Sequence, residues 1–245
     1  MINTLISFGI KNESSLIRLG NHSFYIPIQL SISQNVTYFK FKEDLVSIIK
    51  DKKILVNIVH LPINCLSLEF SVIIDLMDFF YNNINVQKFV IHPNRSITKF
   101  ISYFICYERS YELCIENFLW KRKKELRSPL QIYDVCRRFP NVKITFDTSH
   151  SEVVWFEDKI FSYLLPEISI IHLSNRVDRK GHRPFTAEKG ELRLVDFVRK
   201  LRNYKWSGDI VLEYLSDYSN KLFSNWLYLN RLLGNEVFGN RRTKK

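Results

Sequence analysis

Apolar residues along this chain gather into short runs that stop abruptly at a charged or imidazole side chain, with longer segments between them. Eight runs rich in β-branched and aromatic residues read as strands: TLISFGI, FYIPIQL, ILVNIVH, KFVIHP, ELCIENF, VKITFDT, ISIIHLS and DIVLEYL. Between most of them apolar positions recur with a helical period, in KEDLVSIIKDKK, SLEFSVIIDLMDFFYNN, SITKFISYFICYERS, PLQIYDVCRRF, EVVWFEDKIFSYLL and ELRLVDFVRKLRNY, and NKLFSNWLYLNRLL closes the chain. The first connection, KNESSLIRLGNH, is short for a helix and its loops. Near-continuous apolar strands, each followed by a helix, imply a parallel sheet covered on its outer face, because an antiparallel sheet with one wet face would alternate. Eight such units predict an α/β protein with a single (β/α)8 barrel over residues 1–238 and a basic tail at 239–245.

Length supports one domain: the chain has 245 residues, and such a barrel takes about 250. Seven glycines and no linker argue against a second domain. Hydrophobic residues make up 46% and charged residues 25%, as expected of a soluble protein with a substantial core. The net charge of +11 favours anionic partners such as phosphorylated sugars or nucleic acid; solvated basic faces, with NRRTKK at the end, account for it equally well. Cys65, Cys106, Cys114 and Cys136 form no C-x-x-C pair and lie in apolar contexts, which predicts buried free thiols and a cytoplasmic protein. The segment MINTLISFGIKNESS lacks a basic region followed by an apolar one, and no run approaches the roughly 18 apolar residues of a membrane span, so neither a signal peptide nor a membrane partner is expected. Trp155, Phe156, Phe161 and Tyr163 have helical spacing and predict core rather than a stacking platform.

Candidate chemistry lies where the strands end, since in a parallel barrel those ends and the following loops form the face on which sites are built. His60 ends ILVNIV, His92 ends KFVI, Glu116 ends ELCI, Asp147 ends KITF, His172 ends ISII and Glu213 ends DIVL. His150 follows Asp147 by one turn, and His182 lies in the loop after His172. One histidine at a strand end is ordinarily a hydrogen-bonded structural residue. Five of the six histidines and three carboxylates at equivalent positions are another matter, because closing the barrel brings them into one cleft. Such a concentration calls for a cation, and a mixed oxygen and nitrogen ligand set suits Mn, Zn, Co or Fe.

The motifs VHLPIN, VIHPN, CIENF, FDTSH, IHLSN, HRPFTAEKGEL and GDIVLEY occur in the order found in the xylose-isomerase-like TIM-barrel superfamily, which the chain resembles over residues 50–215. That superfamily includes sugar-phosphate isomerases and epimerases and the endonuclease IV family of apurinic endonucleases. The epimerase branch implies one divalent metal on Glu116, Asp147, His172 and Glu213. There Glu116 and Glu213 double as acid and base, moving a proton through a metal-stabilised enediolate; His150 touches a substrate oxygen and His182 lies by the pocket. The endonuclease branch implies three zinc ions, with His60, His92, His150, His182 and an Asp added, and hydrolysis of DNA. The family's Asp position two residues before His182 is Lys180 here, and the nearest candidate is Asp178. Asn175 stands where the family has an Asp after HLS, and AEKGEL replaces a Gly-Glu-Gly turn. An aromatic that the endonucleases insert into the duplex is here Ile63, and loops for DNA are short; the basic segment WKRKKELR pulls the other way. The balance favours a small sugar or sugar phosphate over DNA, and the two broken motifs keep a third class open, a barrel retaining its metal site for an unassigned reaction. The resemblance makes a homo-oligomer possible, members of the family often being dimers or tetramers, without any interface marked in the chain.

Overall fold

A computed structural model describes residues 1–21, 26–33, 41–117, 129–150, 162–178, 180–186, 190 and 192–235. The predicted helix EVVWFEDKIFSYLL lies mostly outside these residues. So do WKRKKELR, His22, the basic tail, Trp155, Phe156 and Phe161.

Eight parallel strands close into a barrel. They are β1 (Ile2–Ile10), β2 (Ile28–Ile32), β3 (Val56–His60), β4 (Lys88–Ile91), β5 (Glu112–Glu116), β6 (Val142–Asp147), β7 (Ile168–Leu173) and, last in the chain, β10 (Gly208–Leu212), which pairs with both β7 and β1. Each predicted run supplies one barrel strand, with ends shifted by a few residues. Helices follow as the periodicity predicts: α1 (Glu13–Asn21), α2 (Lys42–Asp51), α3 (Phe70–Ile84), α4 (Ile97–Ile105), α5 (Pro129–Cys136), α6 (Leu194–Asn203) and α7 (Leu222–Leu233). The short first connection is therefore helical after all. In α6 the buried positions are Leu194, Phe197, Val198 and Leu201, the i, i+3, i+4, i+7 stripe of a helix lying on a sheet. The closing helix α7 is tied to the first strand, because Trp226 Nε1 donates to the Thr4 carbonyl (3.1 Å) and the Thr4 hydroxyl donates to Asn230 Oδ1 (2.8 Å).

Apolar burial is split in two by the barrel wall. The larger cluster fills the space between strands and helices. A separate small cluster, Leu5, Ile58, Val90, Cys114, Ile170 and Val211, takes one residue from each of six strands and forms the plug inside the barrel. Because side chains alternate along a strand, residues two before and two after each plug residue also face inward. The polar residues two before are Asn3, Lys88, Glu112 and Asp209, with Val56 and Ile168 at the other two positions; two after are Ser7, His60, His92, Glu116, His172 and Glu213. The apolar plug thus separates a polar layer at the lower end from a second one at the upper end.

Two departures from the expected pattern matter. Residues after β7 form an antiparallel hairpin, β8 (Asn175–Val177) and β9 (Lys180–Arg183), where a loop was expected. Cys106 is exposed, unlike Cys65, Cys114 and Cys136, and Tyr163 is half exposed against Tyr133 rather than in the core. No helix among the described residues is long and apolar enough to cross a membrane.

Candidate metal centre

The upper layer converges on Glu116, which is 1% exposed. Its Oε2 accepts hydrogen bonds from His60 Nε2 (2.8 Å) and His92 Nε2 (2.7 Å). Its Oε1 lies 3.2 Å from His150 Nδ1 and 3.5 Å from His172 Nδ1. His172 Nδ1 is also 2.8 Å from Glu213 Oε2, and His150 Nδ1 is 3.6 Å from Asp147 Oδ2. His182, carried by the hairpin, places Nε2 3.1 Å from His150 Nε2 and Nδ1 3.9 Å from Asp147 Oδ2.

Several of these imidazoles are held from behind. His172 Nε2 donates to Gln29 Oε1 (2.9 Å), whose own amide nitrogen reaches Ser31 Oγ (3.4 Å), so the lone pair of a neutral His172 lies on Nδ1, facing the carboxylates. His60 Nδ1 donates to the Leu61 carbonyl (2.9 Å), which aims Nε2 into the cluster. Asn117 clamps the neighbouring turn: its Oδ1 accepts from Asp147 N (2.6 Å), its Nδ2 donates to the Asp147 carbonyl (3.2 Å), and its own carbonyl accepts from His150 Nδ1 (3.0 Å). Gln29 and Asn117 were missed in reading the sequence, although Gln29 leaves a trace there as a polar residue within an apolar strand.

The electrostatics call for positive charge. Burial by itself would push the Glu116 carboxyl up, but His92 and His172, with a hydrogen bond from His150, hold it well below the usual range. Burial likewise works against Glu213, and His172 reverses the shift to below the ordinary value. The imidazoles respond in kind. Burial opposes a proton on His172, yet Glu213 and Glu116 raise it well above 6.5. His150 is pushed up to about 10 against its burial, by Asp147 and Glu116. His60 and His92 share one carboxylate oxygen but move apart. Burial lowers both, and for His60 Glu116 and Glu213 outweigh it, whereas for His92 burial prevails with His60 and His150 adding repulsion.

A metal fits this donor set. Asp147 Oδ2, His172 Nδ1, His182 Nδ1 and Glu213 Oε2 are buried and make no hydrogen bond, even though His172 Nδ1 and Glu213 Oε2 are only 2.8 Å apart. Buried polar atoms are ordinarily hydrogen-bonded, and atoms that converge without bonding to each other are placed as ligands are. Among the described residues four overlapping groups bring their ligand atoms within 4.8 Å of one another: His60, His92 and Glu116; His60, His172 and Glu213; Asp147, His150 and His182; and Glu116, Asp147, His172 and Glu213. Eight of the nine residues singled out from the sequence therefore meet at one place. The ninth does not: Asp178 is exposed at the hairpin turn with φ of 50°, and it joins none of these groups.

Above the cluster a cavity of about 950 Å³ opens to solvent. His60, His92, Glu116, His150, His182 and Glu213 line it, and so do Lys11, Asn12, Ser31 and Ser33, from the ends of β1 and β2. Ile63 also lines it and is 46% exposed.

A closed eight-stranded parallel barrel with carboxylates and imidazoles at the carboxyl ends of its strands places the chain in the class of TIM-barrel proteins. Within that class the family model described as xylose isomerase-like TIM barrel matches residues 99–227, and the chain belongs to that family. Solved structures share the fold. A xylose isomerase-like TIM barrel/4-hydroxyphenylpyruvate dioxygenase fusion protein gives a TM-score of 0.67 at 12% identity; the alignment covers 95% of this chain but 43% of that one, so the chain spans less than half of that relative. The apo form of 3-keto-D-glucoside 4-epimerase, YcjR, from E. coli gives 0.67 at 10% identity, covering 94% of this chain and 98% of that one. D-psicose 3-epimerase in the presence of D-fructose gives 0.57 at 13% identity, covering 97% and 92%. At these identities the likeness is one of fold. No curated protein matches the chain by sequence.

Proposed function

We propose that this barrel is a divalent-metal-dependent isomerase or epimerase of a sugar or sugar phosphate, with Glu116 and Glu213 as the proton-transfer pair. One observation carries the reading: both carboxylates line the cavity, and they flank a single ligand atom, His172 Nδ1, at 3.5 and 2.8 Å. Glu116, Asp147, His172 and Glu213 would hold the metal, which when bound supplies Lewis acidity toward a sugar oxygen. Glu213, whose side chain is 19% exposed, is the more accessible of the two and removes the proton next to the carbonyl. Glu116 returns one from the other side, passing on a proton that His60, hydrogen-bonded to its Oε2 at 2.8 Å, would give up to it, while His92 at 2.7 Å helps hold the carboxyl in place. Lys11 is the lysine of the cavity lining and supplies the charge that a phosphate needs. The test is solvent-deuterium exchange into ketoses and ketose phosphates. Metal-dependent exchange should fall by about 100-fold or more in Glu213→Gln, and exchange that ignores both the metal and this substitution would contradict the reading.

A second reading, metal-dependent hydrolysis of a phosphodiester such as abasic-site DNA, is favoured by a different observation. Glu116 and Asp147 each belong to two ligand groups, so the site can hold further ions on His60 and His92 and on His150 and His182. Incision of an abasic duplex oligonucleotide that EDTA abolishes would establish it over the first.

A further inference from the structure

The hairpin that carries His182 is held in place by a residue that faces away from the cluster. Asn175 begins β8, opposite Arg183 of β9, and is 1% exposed. Its Oδ1 accepts from two backbone amides, Arg176 N at 2.8 Å and Leu192 N at 2.9 Å. The second bond ties the base of the hairpin to the chain that returns from it 17 residues later. Gly190 packs so closely on this amide that a Cβ there would run into the Asn175 side chain. At the other end Gly181 lies against the turn after β6, where a Cβ would come within 2.8 Å of Ser149 Oγ. His182 itself has φ of 55°, a left-handed conformation that a histidine adopts only at a cost, and its carbonyl accepts from Leu215 N (3.1 Å). A strained backbone persists only where its surroundings fix it.

From these contacts we infer that Asn175 is a positioning residue for the metal centre: by joining the base of the hairpin to Leu192 it holds His182 over Asp147 and His150. It touches none of the ligand atoms itself. The inference rests on a metal ion held by the Asp147, His150 and His182 group, the further ion that the second reading allows. An outer residue that orients a ligand is worth about 10- to 100-fold in metal affinity, so a purely structural Asn175 and a positioning one are separable by titration.

The experiment is Co²⁺ titration of the metal-free protein, followed by calorimetry, for wild type, Asn175→Ala, His182→Ala, the double variant and Asn175→Asp, with thermal unfolding of each metal-free form. Asn175→Ala should weaken Co²⁺ binding about tenfold, the same as His182→Ala; the double variant should lose nothing more, and Asn175→Asp, which keeps the acceptor oxygen, should restore most of the affinity. Gly190→Ala, which disturbs the same contact from the opposite side, should reproduce the loss if Asn175→Ala does not fold. Unchanged affinity in Asn175→Ala or in His182→Ala, or additive losses in the double variant, would overturn the inference alone. Wild-type protein that binds no Co²⁺ would sink the metal reading, and this inference with it.

Discussion

The two ends of the barrel interior use the same residue types to opposite effect. At the lower end Lys88 Nζ lies 2.8 Å from Asp209 and 3.9 Å from Glu112; Asn3 donates to Asp209 (2.9 Å) and Ser169 donates to Glu112 (2.6 Å). Each charged group there has a partner within the chain, and Lys88 is held above its ordinary value, burial being outweighed by Asp209. At the upper end three carboxylates and five histidines converge, and Asp147 Oδ2, His172 Nδ1 and Glu213 Oε2 make no hydrogen bond. The lower layer pairs its polar atoms within the chain; the upper one leaves buried ligand atoms without a hydrogen bond, as a metal site would. A buried polar layer is thus read as structural or functional by its satisfaction, not by its composition.

The comparison breaks most visibly under substitution. Glu116→Gln should weaken divalent-metal binding about 100-fold or more, while Lys88→Met leaves it within about twofold; calorimetric titration checks both. Next in size, Asp209→Ala strands Lys88 without its nearest partner and should cost about 3 kcal/mol in urea unfolding, with metal affinity unchanged.

A pH effect should also belong to the upper end alone. His150 and His172 have raised values in the folded metal-free chain, so the stability they contribute is fully present below 6.5 and is lost as pH rises, for His150 through about 10. The melting temperature of chelated protein should therefore fall between pH 6.5 and 10, and that of metal-loaded protein should stay nearly flat, because the metal has replaced the protons. An equal fall in both would remove the distinction between the two layers. The smallest effect should come from outside the barrel interior: breaking the Lys143 to Glu167 pair (2.8 Å) with Lys143→Ala should cost about 1 kcal/mol or less.

Much of the fold was legible because the strands are short apolar runs ended by the very residues that do the chemistry. His60, His92, Glu116, Asp147, His172 and Glu213 each sit within one residue of the last residue of a strand, so strand prediction and site prediction were one inference. The hairpin after β7 was not legible. Its strands have three and four residues, KGHR carries no alternation, and it is pinned by the Asn175 side chain and by left-handed backbone at Asp178 and His182. Those same features leave Asp178 exposed and outside the ligand groups, since nearness to His182 in sequence does not by itself bring a residue into the cluster. Lys11 and Asn12 escaped notice because the first two strands resemble the family least, yet they line the cavity.

The most direct test of the central claim is the metal content of the purified protein, measured by elemental analysis beside Glu116→Gln. About one tightly bound divalent ion per chain for the isomerase reading, or about three for the hydrolase reading, with most of it lost in the variant, is the result predicted here. Protein that carries no metal, takes none up, and melts at the same temperature with and without chelator would contradict it.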